Sequence, residues 1–171
     1  MNNDAINAIL ARRSIRKYEG KPVEREKIDR ILECACAAPS ANNRRPWHFV
    51  EITERKTLDA LAGAHPYGKM LTQATLAIAV CCSKEESSQN PWWEQDCAAA
   101  MQNILVGATA LGLGSVWLGV CHDSVISGNV RKIVEIPESI HVMGIAAVGY
   151  GAEFKKARSG IYMDHVHKER W

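Results

Sequence analysis

The stretch from Trp93 to Leu113 constrains this chain more than any other. Trp93, Cys97, Met101, Ile104, Ala108 and Leu111 recur at helical spacing, while Ala98, Ala99, Val106 and Ala110 leave the remaining sides small and apolar. A helix that is apolar almost all round has to be covered almost all round. With 171 residues in total, few other elements are left to do this. The sequence therefore predicts that a second subunit covers part of the helix, across a dimer interface. A chain of this length fits one domain, residues 1–171, which buries about two-thirds of its unfolded surface.

The other elements follow from shorter patterns. Ile6, Ile9 and Leu10 share one face of a short helix, and Gly20 and Pro22 then interrupt regular structure. Glu24 and Glu26 open a helix with Ile28, Ile31, Leu32 and Ala35 on one face, stopped at Pro39-Ser40. Trp47 to Ile52 reads as a strand and Glu54 to Ala62 as a helix with Leu58 and Leu61 inward. Thr75 to Cys82 is a continuous apolar run, the mark of a buried strand. Ser87 to Pro91 reads as a polar loop. Ser115–Val120 and His141–Val148 are two further buried strands, with a short helix over Val125–Val134. From Gly151 to Trp171 no period is visible, yet Tyr162, Met163, Val166 and Trp171 remain. A structureless stretch of that size is either disordered or functional, and its aromatic residues predict that it docks.

Composition excludes several classes. The formal net charge is +2, too small to make nucleic acid or an anionic membrane the main partner. The opening Met1-Asn2-Asn3-Asp4 carries an acid and no basic run, so no secretory signal is expected. No window reaches the roughly 18 apolar residues of a membrane span. The six cysteines Cys34, Cys36, Cys81, Cys82, Cys97 and Cys121 form no C-x-x-C pair, which disfavours zinc, iron–sulfur and thioredoxin-type sites. Cys81 and Cys82 read as small hydrophobes of a strand. The expected setting is a reducing cytoplasm, with no structural disulfide.

Four segments carry candidate chemistry. Ala11-Arg12-Arg13-Ser14-Ile15-Arg16-Lys17-Tyr18 packs three arginines and a hydroxyl around one break. It reads either as a solvated helix end or as a grip on phosphate oxygens. Pro39-Ser40-Ala41-Asn42-Asn43-Arg44-Arg45-Pro46-Trp47 reads either as a well-capped turn or as a rigid set of donors and acceptors for a heterocycle. Gly112-Leu113-Gly114-Ser115-Val116-Trp117-Leu118-Gly119 lacks the spacing of a dinucleotide fingerprint or a P-loop, but its glycines allow close backbone approach to a flat ligand. Lys155-Lys156-Ala157-Arg158 alone reads as a solvated charge run. Side-chain catalysis finds no elbow serine and no H-E-x-x-H. The pairs His165/His167 and His122/Asp123 lack a third group fixed by spacing. If the chain is an enzyme, a cofactor performs its chemistry.

Taken in order, these segments resemble the flavin-dependent nitroreductase family. Arg12-Arg13-Ser14-Ile15-Arg16 resembles its R-[RH]-S-x-[RK] opening, and Pro39 to Trp47 its P-S-x-x-N-x-Q-P-W loop. Thr109 to Trp117 is similar to the end of its central helix and the strand after it. Val166-His167-Lys168-Glu169-Arg170-Trp171 is similar to the V-H-x-E-R-W ending of its shorter members. The resemblance covers nearly the whole chain. It implies an α+β fold with a mixed sheet flanked by helices, and a homodimer whose interface is made by the central helices and by the 151–171 tails wrapping the partner.

The same resemblance implies FMN as cofactor and NADH or NADPH as donor. Arg12, Ser14, Lys156 and Arg158 would hold the phosphate, with Arg13 nearby through its backbone. Arg16 and Lys69 match basic positions near the ribityl chain and the pyrimidine edge. Pro39, Ser40 and Asn43 would come from the partner subunit, and Leu118 and Gly119 would offer backbone near the hydride-accepting nitrogen. A cation beside the pyrimidine edge stabilises the charge that collects there on reduction. Arg45 departs from the pattern, standing where the family has Gln, and would face either an acidic substrate or solvent. Trp92 and Trp93 would wall a substrate pocket or pack in the core. The implied activity is ping-pong hydride transfer from NAD(P)H to a small-molecule acceptor, a nitroaromatic, quinone or related conjugated compound. A specialised member such as a dehalogenase, or a flavin sensor without turnover, is the alternative.

Overall fold

Leu76, Ala77, Ile78, Ala79, Val80, Cys81 and Cys82 are buried without a break. A strand with no polar face must be covered on both sides. In the computed structural model, which describes residues 4–121 and 124–171, this run is strand β2 (Leu76–Ser83), an inner strand of a four-stranded sheet. Its companions are β1 (Trp47–Ile52), β3 (Gly114–Gly119) and β4 (Ile140–Gly149), in the order β1-β2-β4-β3. Leu76 pairs with Val148 and Ser83 with Ile140, with a bulge between Val80 and Cys81.

Successive side chains of a strand point to opposite faces. Ile78 and Val80 accordingly join a cluster with Ile31, Ala35, Met101 and Ile104. Ala77 and Ala79 join another with Leu58, Leu61, Val130 and Ile145. The first cluster holds residues of helices α2 (Arg25–Cys36) and α5 (Trp93–Ala110), the second of α3 (Arg55–Ala64) and α6 (Val125–Ile133). The architecture is the expected α+β. All four strands run antiparallel to their neighbours. The parallel element of the sheet is a single bridge, Ser14 to Ser115, after α1 (Asp4–Ala11).

Two sequence expectations change. Residues read as the beginning of a polar loop at Ser87 belong to a short helix, α4 (Lys84–Gln89). Its cap explains it: the Ser83 hydroxyl accepts the Glu86 N–H at 3.0 Å, and Glu85 and Glu86 oppose the positive end of the helix. The second concerns α5. Half of its 18 residues are buried within one chain, so its own fold covers more of it than expected. Close approach makes this possible. A side chain at Gly107 would begin 3.2 Å from the Cys34 sulfur, so a larger residue there would have to displace Cys34 by a few tenths of an ångström. The residues of α5 that stay open are Glu94, Gln95, Gln102 and Ala110, beside the half-buried Ala98, Ala99 and Val106. Ile6, Ile9 and Leu10 of α1 are also exposed.

Helix α5 ends in a Schellman motif. Gly112 takes φ +76°, its N–H bonds the Thr109 carbonyl at 3.1 Å, and the Leu113 N–H reaches back to Ala108 at 2.8 Å. Beyond Tyr150 the chain forms no helix or strand apart from a 3-10 turn at Met163–His165. Phe154, Ile161, Tyr162, Met163 and Trp171 of this segment are exposed.

Candidate active site

Two stretches remote in sequence meet beside strand β3. The Ile15 N–H bonds Ser115 at 2.9 Å, laying residues 12–16 along the sheet edge. The later segment returns over them. The Ala152 N–H bonds Lys17 at 2.8 Å and the Arg158 N–H bonds Leu10 at 3.1 Å. Arg13 donates to the Lys156 carbonyl, and Lys155 Nζ donates to the Ser14 carbonyl at 2.6 Å. The Glu153 carboxylate accepts the Arg16 N–H and pairs with Lys155 at 3.3 Å.

This folding brings Arg12, Arg13 and Arg158 together next to Ser14, with the Lys156 carbonyl accepting from Arg13. Burial first, and then Arg158 and Arg13, lower the pKa of the Arg12 guanidinium. None of Arg12, Arg13, Lys156 and Arg158 has an acidic partner among the described residues. Like charges held together without counter-charge make a site for an anion.

Arg16 and Lys69 share the wall of a neighbouring cavity of about 330 Å³, with Met70 and Gln73. At the end of β3, Leu118 is buried and Gly119 is open, with nothing near the position of a side chain. The Gly119 carbonyl bonds His65 Nε2 at 2.9 Å. Of the glycines proposed for close ligand approach, Gly112 is instead the helix cap. Gly114 makes room for Ile15, whose side chain lies 2.8 Å from where a Cβ would stand. Gly119 alone keeps the proposed freedom.

No hydrogen bond or ion pair joins the 39–47 loop to the cation cluster among the described residues. The loop is fastened internally. Ser40 Oγ accepts the Arg45 N–H at 2.9 Å, and Asn43 Oδ1 accepts Arg45 Nε at 3.0 Å. Asn42, Asn43 and Arg45 all take left-handed backbone, with φ between 52° and 55°. The loop also hangs on a residue that sequence reasoning missed. Asp96, buried in the first turn of α5, accepts the Ala41 N–H at 3.0 Å and the Asn90 amide at 2.9 Å. An acid at a buried position of an otherwise apolar helix was the available signal.

The other side chains singled out in the sequence differ in their surroundings. Trp93 is buried and stacks on His141 at 5.2 Å, whereas Trp92 is exposed. His165 stacks on Tyr162 and His167 lies tilted against Trp171. The pair His122/Asp123 lies outside the described residues. All six cysteines are free thiols. A cavity of about 760 Å³ between Tyr18, Ile28 and Leu58 is lined by none of the candidate residues. Its arginines are satisfied: Arg25 pairs with Glu51 at 2.6 Å and Arg55 with Asp59 at 3.0 Å.

A sheet with helices on both faces and unpaired cations gathered along one edge defines an α+β protein built to carry an anionic ligand. The chain belongs to the nitroreductase family, whose model matches residues 9–66 and 62–150. It is 41% identical over 168 residues to the "Putative NADH dehydrogenase/NAD(P)H nitroreductase" of Methanothermobacter thermautotrophicus, covering 98% of this chain and 88% of that one. A solved structure of the same name from Bacteroides thetaiotaomicron is 38% identical, with a TM-score of 0.93 and full coverage of both chains. The FMN-dependent nitroreductase of Clostridium difficile R20291 is 31% identical with a TM-score of 0.90, over 97% of this chain and 99% of that one.

Proposed function

We propose that this chain is an FMN-dependent oxidoreductase that carries hydride from NADH or NADPH to nitroaromatic, quinone or related conjugated acceptors. The observation that carries this reading is the group of cations without counter-charge at Arg12, Arg13 and Arg158. A terminal phosphate monoester fits them, because its two charges answer two guanidinium forks and Ser14 adds a hydroxyl donor. Lys156, whose carbonyl accepts from Arg13, is assigned to the same grip. Arg16 and Lys69 sit in the adjoining cavity, where positive charge favours a reduced, anionic ring over a neutral one. FMN, when bound, supplies the two-electron centre that the side chains lack.

The remaining roles need a second copy of the chain. In this reading Pro39, Ser40 and Asn43, which make no hydrogen bond or ion pair with those cations among the described residues of one chain, line the partner's flavin. The exposed Ile6, Ile9 and Leu10, and the exposed apolar residues of 151–171, supply surface for that homodimer. Leu118 and Gly119 present backbone at the ring. Among the described residues no helix is long and apolar enough to cross a membrane.

Donor and acceptor would use the same open face in turn, which predicts parallel lines in double-reciprocal plots. The test is steady-state NADH and NADPH oxidation by the purified yellow protein with a nitroaromatic or quinone acceptor. Bound FMN without turnover with either donor would replace this reading by that of a flavin sensor. Intersecting lines would remove the ping-pong order.

A further inference from the structure

Arg45 is held in a way that a solvent-facing arginine has no need of. Its backbone is left-handed, φ 53°, a conformation that costs any residue with a side chain. Asn42 and Asn43, also left-handed, belong to the type that tolerates it through short local bonds. Arg45 has no such intrinsic ease. Strain of this kind persists where the surroundings fix it, and it gathers at ligand clamps.

The surroundings do fix it. The Arg45 N–H donates to Ser40 Oγ at 2.9 Å, and its Nε–H to Asn43 Oδ1 at 3.0 Å. The loop beneath is anchored in turn by the Ala41 N–H on the buried Asp96. A side chain that is mobile at most exposed positions is thereby pinned at both ends. Its two Nη groups are left over, with no acidic partner among the described residues. Arg44 next to it is the opposite case, closed off by Glu86 at 3.0 Å. Of the two adjacent arginines, one is neutralised and the other is presented.

Resting on the flavin reading above, we propose that Arg45 is a specificity-determining residue that binds a carboxylate on the acceptor. The preferred acceptors are then aromatic or quinone compounds that bear an acid group. A guanidinium whose Nη edge is free matches a planar carboxylate with two parallel N–H···O bonds. The flavin phosphate has its own cations in Arg12, Arg13 and Arg158, to which the loop makes no bond. Ser40 and Asn43, which hold Arg45, are the residues assigned to line the ring, so the fork stands beside the place where an acceptor binds.

The test uses the FMN-loaded protein and two acceptors alike except in charge, 4-nitrobenzoate and 4-nitrobenzyl alcohol. The quantity read is the ratio of their kcat/KM values. Arg45→Gln should lower that ratio about tenfold, the loss of a charge-assisted contact at an accessible site. Arg45→Lys, which keeps charge without the fork, should fall between. Arg45→Gly suits the left-handed backbone and provides a second variant with the side chain removed, expected to match Gln. A ratio that stays at the parent value, or equal losses with both acceptors, overturns the proposal while leaving the flavin reading intact. A change confined to the KM for NADPH overturns it too, because the fork would then serve the donor. If the parent protein binds FMN but neither NADH nor NADPH supports turnover with any nitroaromatic or quinone, the flavin reading falls and this proposal with it. Turnover with neutral quinones alone, and none with either nitro compound, overturns only the proposal.

Discussion

The backbone N–H of Ala41 donates to Oδ1 of Asp96 at 3.0 Å, across 55 positions of sequence. The first turn of the central helix thus sets the position of the strained 39–47 loop. Asp96→Ala would leave that N–H and the Asn90 amide without their acceptor in a buried place. It should cost about 3 kcal/mol of stability, read from urea unfolding. Asp96→Asn keeps an acceptor oxygen and should cost less. An alanine variant as stable as the parent would show that the loop is held by its own turns.

Arg158→Ala should weaken FMN binding about tenfold or more, since charge-assisted hydrogen bonds contribute roughly 1.5–3 kcal/mol each. Binding by the parent protein should also weaken as salt rises, because these cations are only partly buried. Quenching of flavin fluorescence measures both. FMN binding indifferent to salt and to Arg158 would count against the phosphate grip, and FAD bound in place of FMN would count against a monoester site.

Removal of residues 151–171 should cost the flavin and the dimer together. That segment contributes Lys156 and Arg158 to the cation cluster, and it exposes Phe154, Ile161, Tyr162 and Trp171 in the single chain. Sedimentation velocity with absorbance in the flavin band follows both properties at once. A truncated protein that sediments as a yellow dimer would assign the interface to α1 and α5 alone.

Stability should decline in alkali. Burial, followed by the neighbouring Cys82, pushes the Cys81 thiol up to about 12 from an ordinary 9.0. The Tyr18 phenol, buried and bonded to the Ile15 and Ala147 carbonyls, is also pushed up, chiefly by burial and then by Glu153. Both groups keep their protons in the folded state at pH values where the unfolded chain loses them. Their contribution is therefore complete below about pH 9 and shrinks as pH rises toward 12, by up to about 1.4 kcal/mol per pH unit for each group. Thermal melts between pH 8 and 11 should show the fall, and Cys81→Ala should flatten its lower part. A melting temperature level across that range would contradict the assignment.

What the sequence made legible was whatever a single element could state. Trp47–Ile52 is a strand with the predicted bounds because its apolar residues and the prolines before it act locally. Leu76–Cys82 declares its burial through its own composition. The cations at 12–16 and 155–158 were legible as types, and their union needed the fold. Asp96 went unread because its purpose lies in the Ala41 N–H, which no periodicity mentions. Gly112 and Gly114 were misassigned for a related reason. One glycine ends a helix and the other clears space for Ile15, and neither demand is written in the glycine-rich segment itself.

The contact of Arg13 with Lys156 spans 143 positions, and that of Lys155 with Ser14 spans 141. During synthesis the first arginines leave the ribosome long before their partners are translated. The helices and inner strands can begin to pack while the cation cluster is still in two pieces. If the cluster holds the flavin phosphate as proposed, cofactor capture is a late event, open only to chains translated through Arg158. On that reading, fragments released before Arg158 would sequester no flavin, so the cell's pool of it would be drawn on only by chains that have passed that point.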